Sequence, residues 1–213
     1  MGMKKMLIFD MDGVLTDSNG IWKEVDTAFL GKRGLPYTRE YYEGVAHTVF
    51  PKAAVFTKEY CHLDESVEEI MAEWLAMAGD VYGTEVAAKP GVHDYLTACR
   101  ARGERMIVLT SAVPDHCRAA LGHLDLLPYF EKVFFAQELG LDKQDSAIYR
   151  KVAALMGEAC GDCTVFDDSL AACRSAKAAG MRVVGVWDEY FNDNEAEMQR
   201  ACDRYIRGFG ELL

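Results

Sequence analysis

Residues 6–13 read MLIFDMDG: four apolar residues, two acids two positions apart, then a glycine. An unbroken apolar run of that length is what a strand buried on both faces requires. Asp10 and Asp12 lie two apart on extended backbone, so their side chains point the same way, and Gly13 lets the chain turn sharply behind them. Similar runs recur at 106–109, 133–135, 164–166 and 183–186, each bounded by polar or glycine residues. Helical patterns separate the later runs. Pro114 and Asp115 open one that reaches about Leu121. A second follows Asp145, with Ile148, Val152, Leu155 and Met156 on one face and Gly157 as its stop. A third begins at Ser169 and stops at Gly180. Strand alternating with helix predicts an α/β fold, a doubly wound parallel sheet.

The stretch 17–87 breaks the alternation. Segments 20–30 and 66–82 read as helices. The second places Val67, Ile70, Met71, Trp74, Leu75 and Ala78 at helical spacing, and Ser66 with Glu69 forms a capping box before it. With no convincing strand inside, this stretch is expected to be an all-helical domain inserted into a core made of 1–16 and 88–213. Segment 84–91, with Lys89, Pro90 and Gly91, is the expected return linker.

Composition narrows the function. The 213 residues are 50% hydrophobic and contain only 5 prolines, enough to bury a full core and unlike a disordered chain. A formal charge of −11, from 34 acids and 23 bases, excludes a sequence-independent nucleic-acid binder. No apolar stretch approaches a membrane span. The start has too few apolar residues before Asp10 for a signal peptide, and Met6 occupies the Ser/Thr position of a myristoylation motif. A cytoplasmic location is expected. The sequence does not fix the oligomeric state, and a monomer is compatible with it. The 7 cysteines are odd in number and point to reduced thiols. Cys160 and Cys163 form a lone CxxC with no second pair or nearby histidines, and its place before an apolar run favours a structural role.

In an open α/β sheet, ligands bind beyond the carboxyl ends of the strands. There the chain carries Asp10 and Asp12, then Thr110 and Ser111, then Lys143 in a loop, then Asp167 and Asp168. So many carboxylates at one edge repel each other unless a hard cation sits among them, and oxygen-only ligands in small number suit Mg2+. Thr110 and Lys143 are donors of the kind a phosphoryl group needs. Each piece has an ordinary reading taken singly. The first acids could be a solvated turn, Ser111 or Asp115 a helix cap, Asp167–Ser169 a favourable helix start, and Lys143 a surface lysine. Their common placement on one sheet edge is what speaks for a site.

These segments resemble the four motifs of the haloacid dehalogenase superfamily. FDMDGVLTDS (9–18) is similar to the first, VLTS (108–111) to the second, Lys143 in LDKQDSAIY (141–149) to the third, and VFDDSLAACRSAKAAGM (165–181) to the fourth. The likeness spans the chain and includes a helical cap after the first motif, as in the beta-phosphoglucomutase and phosphoglycolate phosphatase branch, on a Rossmann-like core. Two positions depart, Gln144 where proline is common and Ala172 where glycine is usual. The resemblance implies a phosphatase acting on a small phosphorylated metabolite. Asp10 would accept the phosphoryl group, and Asp12 would protonate the leaving oxygen and then deprotonate water. Thr110, Ser111 and Lys143 would hold the phosphoryl group. Mg2+ would bind Asp10, the Asp12 carbonyl and Asp168, with Asp167 direct or through water.

Other readings fit less well. Dehalogenases and phosphonoacetaldehyde hydrolases of this superfamily lack a second acid at the Asp12 position. A phosphosugar mutase is the runner-up. Its early-cap histidine is replaced here by Trp22, and the arginine of its Gly-Val-Ser-Arg segment by His47. A signalling receiver domain has its acids in the reverse order and no cap, and a catalytically inactive binding protein sits poorly with every catalytic position filled. Trp22, Tyr41, Tyr42, His47 and Lys52 are the cap residues expected to meet substrate.

Overall fold

The computed structural model describes residues 6–45, 48, 50–190 and 195–213. Six parallel strands form one sheet: β1 (Met6–Phe9), β4 (Arg105–Thr110), β5 (Lys132–Phe135), β6 (Cys163–Asp167), β7 (Arg182–Val186) and β8 (Arg204–Ile206), in the order β5-β4-β1-β6-β7-β8. The five apolar runs became strands extended by a residue or two. β8 was not anticipated, because Arg204 and Tyr205 give it no apolar run. The chain winds outward from β1 to β4 and β5, then returns to β6 on the other side. The ends of β1 and β6 therefore flank the point where strand order reverses, and neighbouring loops part there to leave a crevice.

Alternation along β1 divides the core. Met6 and Ile8 pack on one face with Ile107, Val165, Ile148 and Val152, while Leu7 and Phe9 pack on the other with Val108 and Phe166. Phe9 and Phe166 sit on neighbouring strands in register, and their rings stack 4.5 Å apart. That pair locks the two strands carrying the acids, with about 0.5–1.5 kcal/mol beyond the area it buries.

Short strands β2 (Thr16–Asp17) and β3 (Ala87–Ala88) pair antiparallel. They stand where the sequence showed only the end of a motif and a linker. Two-residue strands leave no periodicity to read. Between them run α1 (Asn19–Lys32), α2 (Arg39–Val45), α3 (Phe50–Cys61) and α4 (Val67–Thr84). The capping box before α4 is formed: Glu69 N–H donates to Ser66 Oγ, and Ser66 N–H to the Glu69 carboxylate. α5 (Val92–Ala101), α6 (Pro114–His123), α7 (Ala136–Leu139), α8 (Ser146–Met156), α9 (Leu170–Ala178) and α10 (Glu195–Ala201) complete the helices. Gly157 takes the left-handed conformation that ends α8, at φ 73°. All 7 cysteines are free. Cys163 begins β6, and Cys160 lies in the turn before it. Among the described residues no helix is long and apolar enough to cross a membrane.

One acid is buried within the inserted helices. Asp26 on α1 is 7% exposed, and Tyr41 Oη donates to its Oδ1 at 3.2 Å. Burial pushes the Asp26 carboxyl up to about 7. Below about pH 4, folded and unfolded chains both carry its proton and the group leaves stability unchanged. Between that point and about pH 7 the folded chain holds a proton the unfolded chain has released. Stability then falls as pH rises, by on the order of 3 kcal/mol in full. Asp26→Asn is expected to melt several degrees above the parent protein near pH 8 and level with it near pH 4. Thermal melts by circular dichroism check this, and a gap independent of pH would contradict it.

Candidate active site

Asp10 follows β1 directly, and its N–H donates to Phe166 O of β6 at 3.0 Å. The backbone then turns through Gly13, at φ 74°. A side chain at Gly13 would occupy the space of Asp168 Oδ2 and Asn19 Nδ2, so glycine is needed for room as well as for conformation. Asn19 Nδ2 donates to Asp168 Oδ2 at 2.7 Å. The first turn of α1 thereby fixes an acid from the far end of β6.

Lys143 is the central cation. Its Nζ lies 2.7 Å from Asp10 Oδ2 and 2.7 Å from Asp167 Oδ2, the second contact too poorly aligned for a hydrogen bond. Burial alone would lower the Lys143 pKa, but Asp10 and Asp167 outweigh it and raise it well above the usual lysine value. Asp167 Oδ1 accepts from Ser169 N–H at 2.9 Å. Burial raises the Asp10 carboxyl, and Asp167 adds to the rise against the pull of Lys143. The Asp168 carboxyl is raised far more, by burial and then by Asp167, Asp10 and Asp188. Asp188 is itself buried and paired with Lys89 Nζ at 2.5 Å.

Asp12 is held from the inserted helices. Its Oδ1 accepts from Ser18 Oγ, and from Tyr82 Oη of α4 at 2.9 Å. Burial, and to a lesser extent Asp10, pushes its carboxyl up to about 6 against those two hydrogen bonds. At that value roughly a tenth of the groups are protonated at neutral pH, against less than ~0.1% for an ordinary aspartate.

Oxygen atoms of Asp10, Asp167 and Asp168 lie within 4.8 Å of one another. Three buried carboxylates, two of them with raised pKa values, share a single lysine. That donor set fits a hard divalent cation, whose charge would let all three ionise.

Asp10, Asp12, Thr110, Ser111, Lys143 and Asp168 line one cavity of about 460 Å³, and Asp167 is buried behind it. Thr110 ends β4, and its Oγ1 accepts from Ala112 N–H at 3.0 Å. Ser111 is not a helix cap, since Val113 occupies that position for α6 without a side-chain bond. Ser169 does cap α9. Of the cap residues expected at the site, Trp22 and Tyr42 line the cavity. Tyr41 is buried in the cap interior, bonded to Asp26 and Thr57. Lys52 is exposed and pairs with Asp142 at 3.4 Å. His47 lies outside the described residues. Asn19, Tyr82 and Asp26 were missed. Asn19 could have been suspected from its place beside the first motif, whereas nothing local links Tyr82 to an acid 70 positions earlier.

A family model for haloacid dehalogenase-like hydrolases matches residues 4–180. The chain belongs to the haloacid dehalogenase-like hydrolases. Across 94% of its length it is 26% identical to a phosphorylated carbohydrates phosphatase of Thermotoga maritima, covering 93% of that protein. It is 27% identical to a GMP/IMP nucleotidase of Escherichia coli, over 91% of this chain and 88% of that one. It is 26% identical to hexitol phosphatase B of the same organism, over 84% and 82%. A CbbY variant of Rhodobacter sphaeroides, solved with xylulose-(1,5)bisphosphate, superposes with a TM-score of 0.84 at 20% identity, over 99% of this chain and 96% of that one. This last likeness concerns the fold.

Membership gives the crowding at Gly13 a consequence for an enzyme. Gly13→Ala is expected to displace Asp168 and Asn19 and to lower turnover by about 100-fold, the usual cost of misplacing a reacting group by about an ångström. Phosphate release together with a thermal melt checks this, and a fully active, folded variant would contradict it.

Proposed function

We propose that this hydrolase is a Mg2+-dependent phosphatase of small phosphomonoesters, acting through an aspartyl phosphate on Asp10. The observation that carries the reading is a division of labour between two acids on one turn. Asp10 is paired with Lys143, which favours its ionised form. Asp12 has no cation bonded to it and has a pKa of about 6. A nucleophile must be ionised and a general acid must hold a proton, and this pair is biased in those directions.

In the first step an Asp10 oxygen attacks phosphorus, the bond to the leaving oxygen breaks, and Asp12 gives that oxygen its proton. In the second, water attacks phosphorus, Asp12 takes the proton back, and the Asp10 carboxylate is freed with inorganic phosphate. Thr110, Ser111 and Lys143 hold the phosphoryl oxygens. Asp10, Asp168 and the Asp12 carbonyl would hold Mg2+, with Asp167 behind them, its oxygens already engaged by Ser169 and Lys143. When bound, the ion offsets the charge gathered by the carboxylates and the phosphoryl group. The helices of 17–87 act as a cap that encloses small substrates. The curated relatives named as phosphatases of carbohydrates and hexitols support this substrate class.

Hydrolysis is favoured over a mutase reaction by Trp22, which packs against Phe50 and Tyr82 and offers no base or cation to a sugar phosphate. With β-glucose 1-phosphate and a bisphosphate primer, inorganic phosphate is expected to outrun glucose 6-phosphate. Chelation should stop the release. Asp12→Asn is expected to lose about 100- to 10,000-fold on alkyl phosphates and much less on an aryl ester whose leaving group needs little protonation. Faster isomerisation than phosphate release, or equal losses across leaving groups, would overturn this reading.

A further inference from the structure

The substrate side of this proposed phosphatase, on which the inference rests, is formed by the far wall of the cavity. A line of rings leads away from the acid. Tyr82 bonds to Asp12, Trp22 lies 6.0 Å from Tyr82, Phe50 lies 5.4 Å from Trp22, and Trp74 lies 5.5 Å from Phe50. Trp22, Phe50 and Trp74 line the same cavity as Asp10 and Asp12, and so does Asp26.

Two polar groups interrupt this apolar wall. Among the described residues no cation pairs with Asp26, whose one hydrogen bond is from Tyr41 Oη. Trp74 is 2% exposed, and its Nε1–H is buried with no acceptor among the described residues. An acid without a cation and a donor without an acceptor are both costly in apolar surroundings, and a ligand that supplies the missing partners relieves both. A hydroxyl can donate to one and accept from the other. An ammonium offers Trp74 no acceptor, and a second phosphate dianion would be repelled by Asp26. Lys23 and Arg39 reach the cavity only from exposed positions.

We propose that Asp26 and Trp74 recognise hydroxyl groups, so that the substrate is a phosphorylated polyol or sugar. Its phosphate sits at Asp10, its C–H face lies along Trp22 and Phe50, and its remote hydroxyls meet the Asp26 carboxyl and the Trp74 N–H. Aromatic faces suit the apolar side of such a molecule.

Calorimetric binding to the Asp10→Asn variant isolates recognition from turnover. Sorbitol 6-phosphate is expected to bind about 10- to 100-fold more tightly than hexyl phosphate, which matches its carbon chain without the hydroxyls. Adding Asp26→Leu or, separately, Trp74→Phe should each shrink that ratio about 10-fold. Equal affinity for the two esters, or a ratio that neither substitution moves, would overturn the proposal. Phosphate release by the unmodified enzyme is measured alongside. No release from either ester with the binding ratio intact would end the hydrolysis reading and still support the hydroxyl subsite.

Discussion

A single buried ammonium makes this sheet edge possible. Lys143 Nζ stands 2.7 Å from carboxylates that belong to the ends of two adjacent parallel strands. Without it, Asp10 and Asp167 would face each other in a low-dielectric crevice, where like charges are far more costly than in water. The lysine does not finish the task, because Asp168 remains with a strongly raised pKa and only the Asn19 amide against one of its oxygens. The residual deficit of positive charge is what a divalent cation and the proton on Asp12 would meet. The same imbalance therefore accounts for the metal fit and for the unequal behaviour of Asp10 and Asp12.

What was legible in the sequence follows from how local each signal is. The acids and Lys143 stand directly at the ends of apolar runs, or in the loop after one, so period and placement sufficed to gather them. β8 escaped because an edge strand carrying Arg204 and Tyr205 has no buried run to betray it. The β2–β3 pair escaped because two residues have no period. Helix α4 was readable from its capping box and apolar face, whereas α2 and α3, short and rich in polar aromatic residues, were not. The site contacts that cross from the inserted helices, Tyr82 to Asp12 and Asn19 to Asp168, depend on tertiary packing, which no spacing rule encodes.

Those crossing contacts give the cap a second role. It supplies the wall that faces the substrate, and it also sets the hydrogen bonds of the general acid and of one proposed metal ligand. Tyr42 Oη donates to Tyr190 O at 3.0 Å, and Lys23 lies 5.7 Å from the centre of the Tyr190 ring, so the same face is tied to the core at a separate point. Substrate that fills the cavity meets a cap already joined to the catalytic residues. Binding energy from the remote end of a substrate can thus be expressed at the reacting centre.

The central claim is that Asp10 becomes phosphorylated. Rapid acid quench during turnover of an aryl phosphate with Mg2+, followed by proteolysis and mass spectrometry, reads this directly. The account expects the mass of one phosphoryl group on Asp10, formed before inorganic phosphate accumulates and absent from Asp10→Asn. Phosphate release with no adduct at any time, or an adduct on a different side chain, would contradict it.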